Sequence, residues 1–192
     1  MDYFILINAG RLLDNRAKNI HLCRYDKDEP YFLTPWDLDG SWGLLWNGNN
    51  APEIDGILSN NLFDRLIEND VNGFRQNLAD RWFELRASLL SIDEIESRLT
   101  SLRDYLLDNN IYSREEQLWD YTYEASDLDY TFNWIDGRMA YLDDYFSMIT
   151  SSNELNPGGE WIISPNPVTS VLKVENHLQL LQRGKIYNLT GE

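Results

Sequence analysis

The sequence predicts an α+β fold that is mainly α, and three features of its patterning carry that prediction. From Asn60 to Ile149 apolar residues recur at spacings of three and four, the period of helices that bury one face. Before them, Asn19–Tyr25 and Tyr31–Thr34 read as two strands joined by the polar turn Asp26–Glu29, a β-hairpin. After them, Ser151–Gly159 has turn residues and no periodicity, and strand-like runs return only beyond it.

Taken in order, residues 2–13 read as a helix that directs Phe4, Ile7 and Leu12 toward a core. The hairpin follows, and then a loop rich in Gly, Trp and Asn from Asp37 to Ser59. A loop of that length without regular structure is a candidate functional segment, and Trp42 and Trp46 favour an ordered one. Leu62 and Leu66, then Phe74, Leu78, Trp82, Leu85 and Leu89, mark helical stripes read as core. Ser91-Ile-Asp-Glu94 is a capping box that opens a helix through Leu107, and Ser113-Arg-Glu-Glu116 opens another. Trp119–Tyr130 mixes aromatic and acidic residues and reads as a helix with a solvated acidic face rather than as a substrate groove. In the last helix Phe132, Ile135, Met139, Leu142, Phe146 and Ile149 form a stripe read as core. Trp161–Val168, Val171–Val174 and Lys185–Gly191 read as short strands. The predicted organisation is a domain at 1–150, a linker at 151–160 and a β segment at 161–192.

A chain of 192 residues suits one medium domain, or one domain with an appendage. With 43% hydrophobic and 13% aromatic residues it can build a core, which argues against wholesale disorder. Its 32 acids against 16 bases give a formal charge of −16, which repels phosphate backbones and anionic membranes and argues against nucleic acid as a partner. Cys23 stands alone, so there is no intramolecular disulfide and no thiolate zinc site; within a strand it reads as a small buried hydrophobe. His21 and His177 lie too far apart for a metal motif. No apolar run reaches membrane-spanning length, and Met1–Asn8 lacks the basic residues and small-residue cleavage site of a signal peptide.

Chemistry concentrates near the start. Asp14 is followed by Asn19 at Asp-x4-Asn spacing, and then by Pro35-Trp36-Asp37-Leu38-Asp39-Gly40. That order and spacing are those of a protein-kinase catalytic loop and its metal-binding Asp. The intervening hairpin would fold the chain back and bring Asp37 beside Asp14. Two carboxylates and an amide at one end of a hairpin form a hard-oxygen site suited to magnesium. The same residues have plain structural readings: Asp14 as a helix-end cap, Asp37–Gly40 as an Asx-turn. Asp37 also begins like a calcium loop, but Leu44, Leu45 and Trp46 break that pattern and no Glu closes it, so the reading is rejected. Arg16 and Lys18 are placed either to touch phosphate or to neutralise Asp14.

These residues resemble the spore-coat protein H (CotH) kinase family, secreted protein kinases with an atypical, reduced kinase fold. The resemblance lies in Asp2–Leu6, in Leu13-Asp14 with Lys18-Asn19-Ile20, and in Thr34-Pro-Trp-Asp-Leu-Asp39 with Ser41-Trp-Gly43. It continues through Asn61–Leu66, Phe74-Arg-Gln76 and Arg138–Leu142, covering about residues 1–149; the Pro-Trp-Asp-x-Asp block is its specific part. It implies a kinase-like C-terminal lobe, a β-hairpin plus helical bundle, with a short β tail. It further implies Asp14 as the catalytic Asp that accepts the proton of a substrate hydroxyl, and Asn19 and Asp37 as ligands of Mg2+ or Mn2+. Asp39 would bind a second ion or orient the loop. ATP would be the co-substrate and Ser or Thr of a surface or exported protein the acceptor. No residue is assigned to nucleotide binding. No Gly-rich phosphate loop precedes Asp14, and the residues before it cannot hold a strand with an ATP-anchoring Lys. The family has an N-terminal lobe there, so on this reading the chain is a fragment, inactive alone.

The tail is similar to the C-terminal sorting domain of type IX secretion cargo, a small β-sandwich, through Ser164-Pro-Asn-Pro167, Val171-Leu-Lys-Val174 and Asn188-Leu-Thr-Gly191. That resemblance implies a truncated sorting domain, the secretion machinery as a partner, and a secreted or cell-surface location. Two rivals from other classes remain open: a non-catalytic surface or structural module of the same fold, and an exported domain that uses the Asp cluster to bind metal.

Overall fold

The first helix, α1 (Asp2–Ala9), is apolar on nearly every side, which suits a helix surrounded by protein rather than one lying on a surface. Phe4, Ile5, Ile7 and Asn8 are each at most 1% exposed, so α1 forms the centre of the core. The sequence pattern carries this helix on to residue 13, but it ends at Ala9. Leu12 N–H donates to the Ile7 carbonyl (2.9 Å) and Arg11 N–H to that of Asn8 (3.2 Å), the paired bonds of a Schellman ending. Such an ending needs a left-handed residue, here Arg11 at φ +51°, where glycine is usual. Leu12 still reaches the core together with Phe4 and Ile7.

The computed structural model describes residues 1–119 and 122–151, together with the strands at 162–164 and 173–175. The chain divides into a unit Met1–Thr150 and a second unit Ser151–Glu192. In the first, α1 leads to a 3-10 turn (Leu13–Arg16) and to strands β1 (Ile20–Cys23) and β2 (Phe32–Pro35). A long loop follows, then α2 (Asn61–Glu68), α3 (Phe74–Arg86), α4 (Ile92–Asp108), α5 (Ile111–Trp119) and α6 (Ala125–Ser151). The fold is α+β and mainly α. Strands β1 and β2 pair antiparallel, with Ile20 opposite Pro35 and Cys23 opposite Phe32. Ile20 and Leu33 pack toward the core while His21 and Leu22 face solvent, so the hairpin is a surface arm with one anchored side. Cys23 is half-buried rather than enclosed.

The helices pack as their stripes predict, with corrections at the ends. Ile135, Met139, Leu142 and Phe146 of α6 are fully buried. Trp82 of α3 stacks on Phe146 (4.7 Å between ring centres) and donates its indole N–H to Asp143 (2.8 Å). Phe63 of α2 packs against Phe4 at 5.0 Å. Asn60 caps α2 by accepting from Leu62 N–H and Phe63 N–H, and Ser91 caps α4 by accepting from Glu94 N–H at 3.3 Å. Leu62 and Leu89, counted in the apolar stripes, are exposed: Leu62 sits in the first turn of α2 and Leu89 in the link after α3. Helix α5 begins at Ile111, ahead of the expected Ser113, because Asn110 at φ +55° ends α4 and lets the chain restart at once. Trp119–Tyr130 is not one helix: α5 stops at Trp119 and α6 starts at Ala125, with Tyr123 between them stacked on Tyr112 (4.2 Å).

In the second unit, β3 (Ile162–Ser164) and β4 (Lys173–Glu175) pair antiparallel, with Ile163 opposite Val174. The expected linker beyond Ser151, the Pro165–Pro167 turn and the expected strand Lys185–Gly191 lie outside the described residues.

Candidate active site

The Schellman ending of α1 throws the chain into the Leu13–Arg16 turn, where Asp14 faces solvent and Asn15 turns inward. The Asp14 carbonyl accepts from Ala17 N–H (3.3 Å) and Lys18 N–H (2.9 Å), and the Lys18 ammonium lies 2.7 Å from the Asp14 carboxylate. Of the two roles open to Lys18, the structure therefore displays the neutralising one. Asn19 then enters β1 at φ +53°. Across the hairpin base Trp36 N–H donates to the Asn19 carbonyl at 2.9 Å, and Asp37 leaves β2 at φ +59°. The Asn19 amide reaches the Asp37 carboxylate at 3.5 Å, a bond at its outer limit. Asp14, Asp37 and Asp39 line one pocket of about 100 Å³, together with Arg11, Asn15 and Trp134. The sequence-predicted residues thus gather at one end of the hairpin. Asp39 also accepts from Gly40 N–H at 2.8 Å, a bond to the next residue rather than the Asx-turn read from the sequence.

Left-handed backbone at Arg11, Asn19, Asp37 and Trp42, with φ between +51° and +59°, surrounds this pocket. Asn and Asp tolerate it; Arg and Trp do so only where neighbours over-determine the conformation. The neighbours are polar groups buried in the core. Trp42 N–H donates to the Gly10 carbonyl at 3.0 Å. Gly43 lies flat against Trp134, so close that a Cβ there would sit 2.5 Å from the indole Cγ. Its carbonyl accepts from Ala51 N–H (2.7 Å) and the Tyr130 hydroxyl (2.9 Å). Arg138, wholly buried on α6, donates to the carbonyls of Asn8 (2.9 Å), Ile54 (2.7 Å) and Gly56 (2.8 Å). Burial pulls its guanidinium down to about 10, with the nearby charge of Arg11 acting in the same direction, so it stays a cation at neutral pH. Asn8 and Leu58 exchange two bonds of 2.9 and 2.8 Å that fasten the far end of the loop to α1.

A family description, CotH kinase protein, matches residues 1–142 of the chain. The chain belongs to the CotH kinase family. No curated protein and no solved structure matches it. The matched span of this CotH-family chain takes in α1, the hairpin, the loop and the helices as far as Leu142 in α6. It stops short of the tail, whose likeness to a sorting domain rests on its sequence alone. Among the described residues no helix is long and apolar enough to cross a membrane.

Family membership implies ATP and a divalent metal, and the donors present suit such an ion. They are hard oxygens from Asp14, Asp37 and Asp39, which line one pocket, with the Asn19 amide beside Asp37. Among the described residues no three His, Cys, Asp or Glu side chains are drawn together as a metal cage. Magnesium in nucleotide enzymes is held by one or two carboxylates together with phosphate oxygens. Sequence reasoning missed Asn8, Asn15 and Arg138. The available signal was a polar residue set inside an apolar helix or stripe: Asn8 within Phe4–Ala9, and Arg138 between Ile135 and Met139.

Proposed function

We propose that this lobe carries the phosphoryl-transfer site of a protein kinase acting on Ser or Thr of surface or exported proteins. The observation that carries the reading is the contact of Asn19 with Asp37 across the hairpin base, with Asp14 and Asp39 on the same pocket. In this reading Asp14, exposed on its short turn, accepts the proton of the acceptor hydroxyl as that oxygen attacks the γ-phosphate of ATP. Asn19 and Asp37 hold the divalent ion, and Asp39 either holds a second one or orients the turn. A bound Mg2+ or Mn2+ supplies neutralisation of charge on the phosphate oxygens. The chain's own contribution is position. Its ligands project from backbone fixed to α1 and α6, so little reorganisation is needed at the moment of transfer.

The proposed organisation follows: a kinase-like lobe at 1–150, a linker at 151–160 and a partial sorting domain at 161–192 that would engage type IX secretion machinery and direct the protein to the cell surface. The break between compact units after Thr150 supports that division.

The test is transfer from radiolabelled ATP to a generic acceptor protein by the full-length protein with Mg2+ or Mn2+. Asp14→Asn is expected to lower the rate by about 100-fold or more while leaving Mn2+ binding intact, whereas Asp37→Asn loses both. Undiminished transfer by Asp14→Asn would remove Asp14 from the chemistry. Mn2+ binding with no transfer from the wild type would favour the rival reading, a metal-binding module of the same fold.

A further inference from the structure

We infer that Asn15 is the positioning residue of the cation site, an inference that rests on the reading of Asn19 and Asp37 as ligands. Asn15 is 2% exposed and lies within the Asp14–Asn19 motif. Its side-chain NH2 has two hydrogens, and both are used: one toward the Asn19 carbonyl (2.9 Å), the other toward the Trp36 carbonyl (2.8 Å). The first carbonyl belongs to the peptide plane that sets ψ of Asn19. The second belongs to the plane that sets φ of Asp37. One buried amide therefore holds the backbone on either side of the hairpin base, at the two points from which the ligand side chains project.

The need for such a hold follows from the backbone conformation. Asn19 and Asp37 both have left-handed backbone, at φ +53° and +59°. Asn and Asp tolerate this region, but a free chain visits it as one state among several, so holding both residues there at once takes fixed neighbours. The Trp36 N–H to Asn19 carbonyl bond (2.9 Å) supplies one constraint, and the Asn15 amide supplies two more. Asn15 is itself fixed, since its own carbonyl accepts from the Tyr3 hydroxyl of α1 at 2.6 Å. The Tyr3 bond anchors the backbone of Asn15 to α1, whereas only the Asn15 side chain reaches both ligand residues. Few side chains fit this place. Asp would set oxygens against two carbonyls, Ser has one donor, and Leu has none.

Groups that orient metal ligands typically change affinity by about 10–100-fold when removed. The test uses Mn2+ as probe, with free ion followed by electron paramagnetic resonance, on wild type, Asn15→Ser and Tyr3→Phe. Asn15→Ser leaves room for water to satisfy the carbonyls, and is expected to lose about 10-fold or more in Mn2+ affinity. Tyr3→Phe loses a neighbouring bond in the same cluster, and is expected to lower thermal stability while keeping wild-type affinity. Affinity that falls in both variants in step with stability would make Asn15 merely structural and overturn the inference. Wild-type affinity in Asn15→Ser would do the same while leaving the cation site standing. A wild-type protein that takes up no Mn2+ overturns the cation reading and this inference with it. Should Asn15→Ser fail to fold, Mg2+ titration of the wild type by NMR decides. The Asn15 side-chain NH2 signals are expected to shift and exchange more slowly. If they stay unmoved while the Asp37 amide responds, the inference fails.

Discussion

Helix α6 meets its neighbours with two different chemistries along its length. Toward its C-terminal half, Met139, Leu142 and Phe146 are buried in the apolar core, with Trp82 of α3 stacked on Phe146. Toward its N-terminal half, Tyr130, Trp134 and Arg138 offer hydrogen-bond donors to carbonyls of the loop that carries Asp37 and Asp39. The first kind of contact gains from area removed from water and is indifferent to direction. The second fixes individual peptide planes. A site whose ligands must hold a set geometry needs the second kind, because apolar packing alone does not specify which way a peptide points. The two regions should therefore respond differently to substitution: the helical region in global stability, the loop region in local order and ion binding.

Trp82→Ala breaks the apolar side of that comparison and is expected to have the largest effect. It empties a fully buried site and removes one donor from Asp143, which Arg86 still holds, for a loss of about 3–5 kcal/mol in urea unfolding. Arg138→Met addresses the polar side. The carbonyls of Ile54 and Gly56 lose a donor that water can replace in part, and the buried Asn8 carbonyl is left with Arg11 N–H alone. The expected cost is about 2–3 kcal/mol, accompanied by faster amide exchange in residues 40–58 and unchanged exchange in α3. Equal acceleration in both regions would show that they unfold as one unit.

Gly43→Ala sharpens the contrast at a single contact. The added Cβ meets the Trp134 ring, and the backbone there has φ +82°, so the loop must move off α6. A loss of about 1–3 kcal/mol is expected, with Mn2+ affinity falling as well.

The smallest effect belongs to a surface pair outside both regions. Arg81 grips Asp2 with two bonds of 2.9 Å, and that bonding holds the Asp2 carboxyl below its ordinary value of 3.8. A carboxyl lowered in the folded state contributes stability above its unfolded value, and that contribution is lost as pH falls through the folded value. Asp2→Asn should therefore lie slightly below wild type at neutral pH and converge with it in acid. Added salt should narrow the gap, since the pair is largely exposed.

Much of this arrangement was legible in the sequence. Period-four stripes located α3 and α6, the capping box located the start of α4, and the turn Asp26–Glu29 located the hairpin. The Asp-x4-Asn spacing and the Pro-Trp-Asp-x-Asp block picked out the residues that line the pocket. The end of α1 was not legible, because its left-handed residue is Arg11, and periodicity reads side-chain polarity rather than backbone dihedrals. The roles of Asn8, Asn15 and Arg138 were hidden for a related reason. Their partners are backbone carbonyls far along the chain, such as Leu58 for Asn8 and Ile54 for Arg138, and no local pattern marks a carbonyl as awaiting a donor.

A cation site at the hairpin base depends on the Asp37 charge and not on the stability of the core behind it, and Asp37→Asn separates the two. Asn tolerates left-handed backbone as Asp does, so the change removes a charge without disturbing the turn. Mn2+ titration and thermal unfolding would be measured on the same samples. The wild type is expected to bind Mn2+ and Asp37→Asn to lose most of that affinity, with stability within about 0.5 kcal/mol of wild type. Mn2+ affinity unchanged in Asp37→Asn, or a loss of stability approaching that of Trp82→Ala, would contradict this expectation.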